Sequence, residues 1–143
     1  MKIKPRHSGQ SLVEFALIFP IIFLLITGFF DLGRAVFNYS ALTNAVRQAT
    51  RYAIVHKTEL TTAATNPSNN TLQDKVMEFA DGMTLNRADI IVTLPKVDNL
   101  FTTVSIEAIY RYQPITPGIK AILGIEGISI RASSKMYVTP GSR

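Results

Sequence analysis

Cysteine is absent from the 143 residues, so neither a disulfide nor a thiolate metal site can staple the chain. Histidine is scarce. His7 and His56 are the two present, and neither sits in a spaced His, Asp or Glu set of the kind that ligates a metal. There is no glycine-rich phosphate loop and no Gly-x-Ser-x-Gly nucleophile elbow. Glu107 falls among Ser and Arg on a polar strand face, and Tyr110 and Tyr112 fall on the apolar one. No catalytic constellation, cofactor site or metal site is expected. A dense basic patch is missing as well. The formal charge is +5, but Lys2, Lys4 and Arg6 crowd the first residues, and without them twelve Lys and Arg face ten Asp and Glu. The rest are scattered without aromatic interleaving, which argues against a nucleic-acid partner.

The most informative lack is of charge. From Leu12 to Phe30 the only ionisable side chain is Glu14, in an apolar run of 19 residues. A helix needs ~20 residues to cross a hydrocarbon core. A carboxylate in such a segment costs about 2.5–3.5 kcal/mol at the centre and less towards the edge. Glu14 therefore calls for a reason, which is either reach to headgroups and water or a partner charge. A secretory signal peptide is a poor fit, because the apolar run exceeds a usual h-region and no small-x-small cleavage site follows it. The basic residues ahead of the run place that end in the cytosol and send the remainder out.

Pro20 interrupts the run. It removes the hydrogen bond to the Ala16 carbonyl, which is either an ordinary membrane-helix proline or a soft point for packing. Beyond the run, Ala35, Tyr39, Leu42, Val46, Ala49 and Ala53 form one apolar stripe at helical spacing, with Arg34, Asn38, Asn44, Arg47 and Arg51 on other faces. One helix from Leu12 to Val55 is expected, roughly 65 Å long. Its first half would lie in lipid and its second half against a soluble body.

The combination of Gly9-Gln10-Ser11-Leu12-Val13-Glu14-Phe15 with Phe29-Phe30-Asp31-Leu32-Gly33-Arg34 and Ala45 to Ala53 resembles the N-terminal half of TadE-like proteins. These are pseudopilins, or minor pilins, of the tight-adherence (Flp) type IVb pilus system. The resemblance covers about the first 55 residues. It implies cleavage by a prepilin peptidase after Gly9, with Gln10 as the new N-terminus and Glu14 and Phe15 as the fifth and sixth residues. Residues 1–9 would be a leader. The amine created at the membrane edge could be neutralised by Glu14, within one subunit or between neighbours. Glu14, Pro20, Asp31 and Arg34 are the helix-packing positions to test, and Asp31 and Arg34 lie three apart on one helix face. The partners implied are the peptidase, other pilins and pseudopilins, an inner-membrane assembly platform and the bilayer.

Residues 58–143 are expected to form a small extracytoplasmic body, following residues 10–57 with their span at 12–30. Thr58 to Thr71 has few large apolar side chains and is expected to be a loop. Leu72, Val76, Phe79, Ala80 and Met83 predict a short second helix. Three strands follow. Ile90, Val92 and Leu94 alternate inward before Pro95, then Val104 to Tyr112, then Ile128 to Val138. The fold class is thus α+β: a long N-terminal helix packed on a small antiparallel sheet of about three strands, a pilin-like body. Pro114 to Ile125 is too apolar for a plain loop, and reads as a helical turn closing the core or a patch touching membrane or a partner. Two functional readings remain open. One is a trimmed pilin-class subunit. The other is an uncleaved, signal-anchored binding module outside the membrane.

Overall fold

The computed structural model of the protein describes residues 8–66, 70–94, 96–97, 100–101, 103–116 and 127–138. Residues 1–7 of the leader, the Pro95 stop and residues 117–125 of the apolar segment lie outside them. Helix α1 runs unbroken from Ser8 to Val55, 48 residues with Pro20 inside it. Helices α2 (Lys57–Thr65) and α3 (Thr71–Phe79) follow, then a 3-10 turn at Arg87–Asp89. The strands are β1 (Ile90–Thr93), β2 (Lys96–Val97), β3 (Leu100–Phe101), β4 (Thr103–Tyr112) and β5 (Ile128–Tyr137). The expected α+β architecture is what forms, a long N-terminal helix followed by a small three-stranded antiparallel sheet.

The chain divides into two compact units, Met1–Arg34 with Pro114–Glu126, and Ala35–Gln113 with Gly127–Arg143. In the second unit the main sheet has the order β1-β4-β5, with β2 and β3 forming a separate antiparallel pair. Its register follows the alternation in the sequence. Ile90 stands opposite Ala108, Val92 opposite Ile106, Ala108 opposite Ala132 and Tyr110 opposite Ile130, so apolar side chains meet on one face. That face joins Leu42, Val46, Ala49 and Ala53 of α1 in a single buried cluster with Leu60, Leu72 and Val76. The small Ala49, Ala53 and Ala108 side chains lie in this cluster beside Leu42, Ile106 and Tyr112, which supply much of its volume.

Two expectations need correction. The stripe on α1 is fully buried from Leu42 onward, and Ala35 is half-buried against the same cluster. Tyr39, one turn earlier, is 53% exposed, whereas Ala45 and Thr50 are buried. Thr50 escapes a hydropathy pattern because its hydroxyl donates to the Val46 carbonyl at 2.7 Å, which satisfies the polar group inside the helix. The second correction concerns Thr58–Thr71, where a helix, α2, stands over Lys57–Thr65 in place of a loop. Leu60 and Ala63, three apart, are both buried, and that tertiary burial outweighs the weak helix propensity of the threonines around them. The Thr62 and Thr65 hydroxyls donate back to the Thr58 and Thr61 carbonyls at 3.4 and 3.2 Å.

Helix α3 begins with a reciprocal cap. The Gln73 N–H donates to Asn70 Oδ1 at 3.1 Å, and the Asn70 N–H donates to Gln73 Oε1 at 3.3 Å. The buried Gln73 amide then donates to the carbonyls of Ile90 (3.0 Å) and Arg87 (3.2 Å), tying the start of α3 to the start of β1. Truncation would leave these groups dry and unbonded. Gln73→Ala is expected to destabilise the body by about 2 kcal/mol, read as a drop of about 10 °C in its unfolding midpoint by amide exchange of α3 and β1. An unchanged midpoint would mean that water replaces the amide at no cost.

On the other side of α3, Lys75 donates to Glu78 at 2.6 Å and lies 5.3 Å over the Tyr52 ring, which stacks on His56 at 4.0 Å. That hydrogen bond to Glu78, with lesser charge attraction from Glu78 and Tyr52, holds the ammonium above its ordinary pKa despite an opposing desolvation. After α3 the chain reverses through Gly82, whose φ of +80° is a conformation that favours glycine.

Candidate assembly and membrane surface

Apart from Glu14 and Thr27, the side chains of α1 from Leu12 to Phe30 are apolar around the helix and mostly exposed, Phe15 at 65% and Leu17 at 73% among them. A helix apolar all round is stable only when lipid or other helices surround it. Among the described residues, α1 is long and apolar enough to cross a membrane, and its apolar window is not buried inside the protein. Phe15, Phe19 and Phe23 form a ladder along it at 5.5 and 6.0 Å between ring centres. The Thr27 hydroxyl donates to the Phe23 carbonyl at 3.0 Å, so it adds no unsatisfied polar group to this surface.

Gly9, Gln10 and Glu14 all lie exposed on the first turns of α1. A Cβ at Gly9 would meet nothing within 4 Å. Gln10 and Glu14, four residues apart, occupy one helix face a turn apart. Glu14 makes no hydrogen bond or ion pair among the described residues. Pro20 sits within continuous helix and leaves the Ala16 carbonyl without its usual donor.

Asp31 and Arg34 are brought together, with Arg34 Nη1 3.8 Å from Asp31 Oδ1. The main partners of Asp31 are elsewhere, and all belong to the first unit. Its Oδ1 accepts the Ile115 N–H at 3.1 Å. Its Oδ2 accepts the Thr116 N–H at 2.9 Å and the Thr116 hydroxyl at 2.5 Å. Asp31 is 6% exposed and Thr116 5% exposed. Both oxygens of this buried carboxylate are thus occupied by donors from residues 115 and 116. Local spacing identifies Arg34 as a neighbour of Asp31. It cannot identify Ile115 or Thr116, which lie more than eighty residues away; the only local hint is a threonine between Pro114 and Pro117.

Among the described residues no three His, Asp or Glu side chains gather as metal ligands. His56 Nδ1 lies 3.1 Å from the Tyr52 carbonyl, a local contact at the end of α1. Glu107 is part-exposed and Tyr112 buried, on the opposite faces of β4 that alternation assigns them.

Compared with known proteins, residues 9–51 match the family model described as TadE-like protein. The match begins at Gly9, spans the apolar run and the Asp31–Arg34 turn, and ends within the buried stripe of α1. No curated protein and no solved structure matches the chain.

Proposed function

Starting from residues 9–51 as a TadE-like segment on a membrane-length helix, we propose that this protein is a pseudopilin (minor pilin) that takes part in assembly of a tight-adherence (Flp) pilus. A prepilin peptidase hydrolyses the Gly9–Gln10 bond. Water supplies the hydroxyl of the Gly9 carboxyl group and a proton to the Gln10 amine, which becomes an ammonium. The trimmed chain stays in the inner membrane through α1, single-pass, with its cytosolic end at Gln10 and the α+β body outside. Other pilins and pseudopilins pack along α1, and an inner-membrane platform extracts the subunit. The protein acts as a substrate and building element, with no catalysis of its own.

The observation that carries this reading is the exposed apolar length of α1 bearing one carboxylate, Glu14, one turn from Gln10. The new ammonium and this carboxylate are positioned to neutralise each other in a medium where either alone is costly. The test is the intact mass of the membrane-extracted chain from cells with an active prepilin peptidase. Loss of Met1–Gly9 supports the reading. A full-length chain reduces the protein to a signal-anchored module holding its body outside the membrane.

A further inference from the structure

We infer that Asp31 latches the connection between β4 and β5 onto the membrane exit of α1, and that this gives the protein a second lipid contact, at Ile115. The apolar run ends at Phe30, and its 19 residues rise about 28 Å, close to a hydrocarbon thickness of ~30 Å. Asp31 is the first ionisable group after it and therefore marks the level of the interface. Two hydrogen bonds from the backbone N–H groups of Ile115 (3.1 Å) and Thr116 (2.9 Å), and a third from the Thr116 hydroxyl (2.5 Å), pin this segment to that carboxylate. Whatever depth Asp31 takes, residue 115 takes with it.

The side chains sort accordingly. Pro114 and Thr116 turn inward and are buried, while Ile115 between them is 71% exposed. Phe30 (71%) and Leu32 (61%) are exposed on α1 on either side of Asp31. A bilayer is the occupant this surface fits, because it continues the apolar surface of the span at the same level. The carboxylate beside it is already satisfied by internal donors, so immersion costs no lost hydration. Arg34, with a half-exposed side chain one turn further out, is placed to extend towards headgroup phosphates. The inference requires only that α1 crosses a membrane and is independent of leader removal.

The absence of cysteine makes a direct test available. In the full chain, Ile115→Cys is labelled with a nitroxide and reconstituted in vesicles of phosphatidylethanolamine and phosphatidylglycerol. Its collision rates with oxygen and with a water-soluble nickel chelate are compared with those of Leu25→Cys in the span and Tyr137→Cys on the body. Position 115 is expected to favour oxygen over nickel at least several-fold more than position 137 does. Adding Asp31→Ala should return position 115 to the water-exposed ratio and leave position 25 unchanged; Asp31→Asn serves where the alanine variant does not fold. Equal ratios at 115 and 137 would overturn the lipid contact, as would shielding of 115 from both reagents, which signifies a protein neighbour. A lipid-like ratio that survives both Asp31 variants would overturn the latch. A water-like ratio at Leu25 would overturn the membrane reading itself.

Discussion

Replacing Gly9 with phenylalanine is expected to leave the folded body unchanged and to stop leader removal almost completely. Both halves follow from the same local fact. A Cβ at position 9 meets nothing of the protein within 4 Å, so the larger residue starts into open space. In a helix it also restricts the backbone less expensively than glycine does, by a few tenths of a kcal/mol. Nothing in the fold therefore opposes the substitution. A protease that must bring its catalytic groups onto the Gly9 carbonyl depends on open space on that side of the chain, and a phenyl ring fills it. The measurement is the ratio of full-length to trimmed chain in membranes by intact mass, alongside the amide-exchange pattern of the body. Expected is a change from mostly trimmed to mostly full-length, a loss of at least a hundredfold in the rate of trimming, with exchange in α3 and the sheet unmoved. Normal trimming of the variant would remove Gly9 from the processing site. Altered exchange in the body would signify coupling that the open surroundings of Gly9 do not provide.

How far the sequence reveals this molecule depends on whether a feature repeats locally. The apolar run and the strand alternation do, and α1, β4 and β5 stand where their periods place them. Helix α2 does not, because a Thr/Ala-rich stretch carries its signal in only Leu60 and Ala63, and their burial comes from the core cluster they join rather than from any local period. Tyr39 shows the converse. Its spacing is right for the stripe, yet it stays exposed between half-buried Ala35 and fully buried Leu42, and which stripe positions a partner surface covers is not encoded in helical period. The Asn70–Gln73 cap was available to a local reading, since Asn-x-x-Gln ahead of an apolar helix is a start signal. Gln73's longer bonds to the Ile90 and Arg87 carbonyls were not. The surface sites divide the same way. Gly9, Gln10, Glu14 and Phe15 lie within one seven-residue stretch, so the sequence alone groups them. Asp31 is readable as an acid beside Arg34, and the structure reassigns most of its hydrogen-bonding capacity to Ile115 and Thr116. That reassignment weakens the case for Asp31 as an intersubunit charge and does not touch Glu14, which is exposed.

Glu14→Ala is accordingly expected to separate processing from assembly: trimming continues and entry into the pilus fails. The sign comes from what each location does to a carboxylate. In the bilayer an ionised Glu at the centre of a helix is unfavourable by about 2.5–3.5 kcal/mol, and by less near the edge. Alanine removes that cost, so the variant resides in the membrane more comfortably than the natural chain. In a helix assembly the carboxylate gains the Gln10 ammonium of a neighbouring subunit besides its own, and two opposite charges 4 Å apart attract by about 4 kcal/mol at an effective dielectric of 20. Alanine removes that gain as well. Both changes push in one direction, towards staying in lipid, and each 1.4 kcal/mol is a factor of ten in the partition. Glu14→Gln keeps the size and loses the charge, so it should follow alanine. Glu14→Asp keeps the charge on a shorter arm and should recover part of the function. The readout is the fraction of trimmed chain recovered with sheared pili against that left in membranes. Wild-type incorporation of the alanine and glutamine variants would show that the charge has no part in extraction. Trimming lost together with incorporation would instead place Glu14 in recognition by the peptidase. The unaltered Asp31 latch provides the internal control, because the label at position 115 should report the same environment in every Glu14 variant.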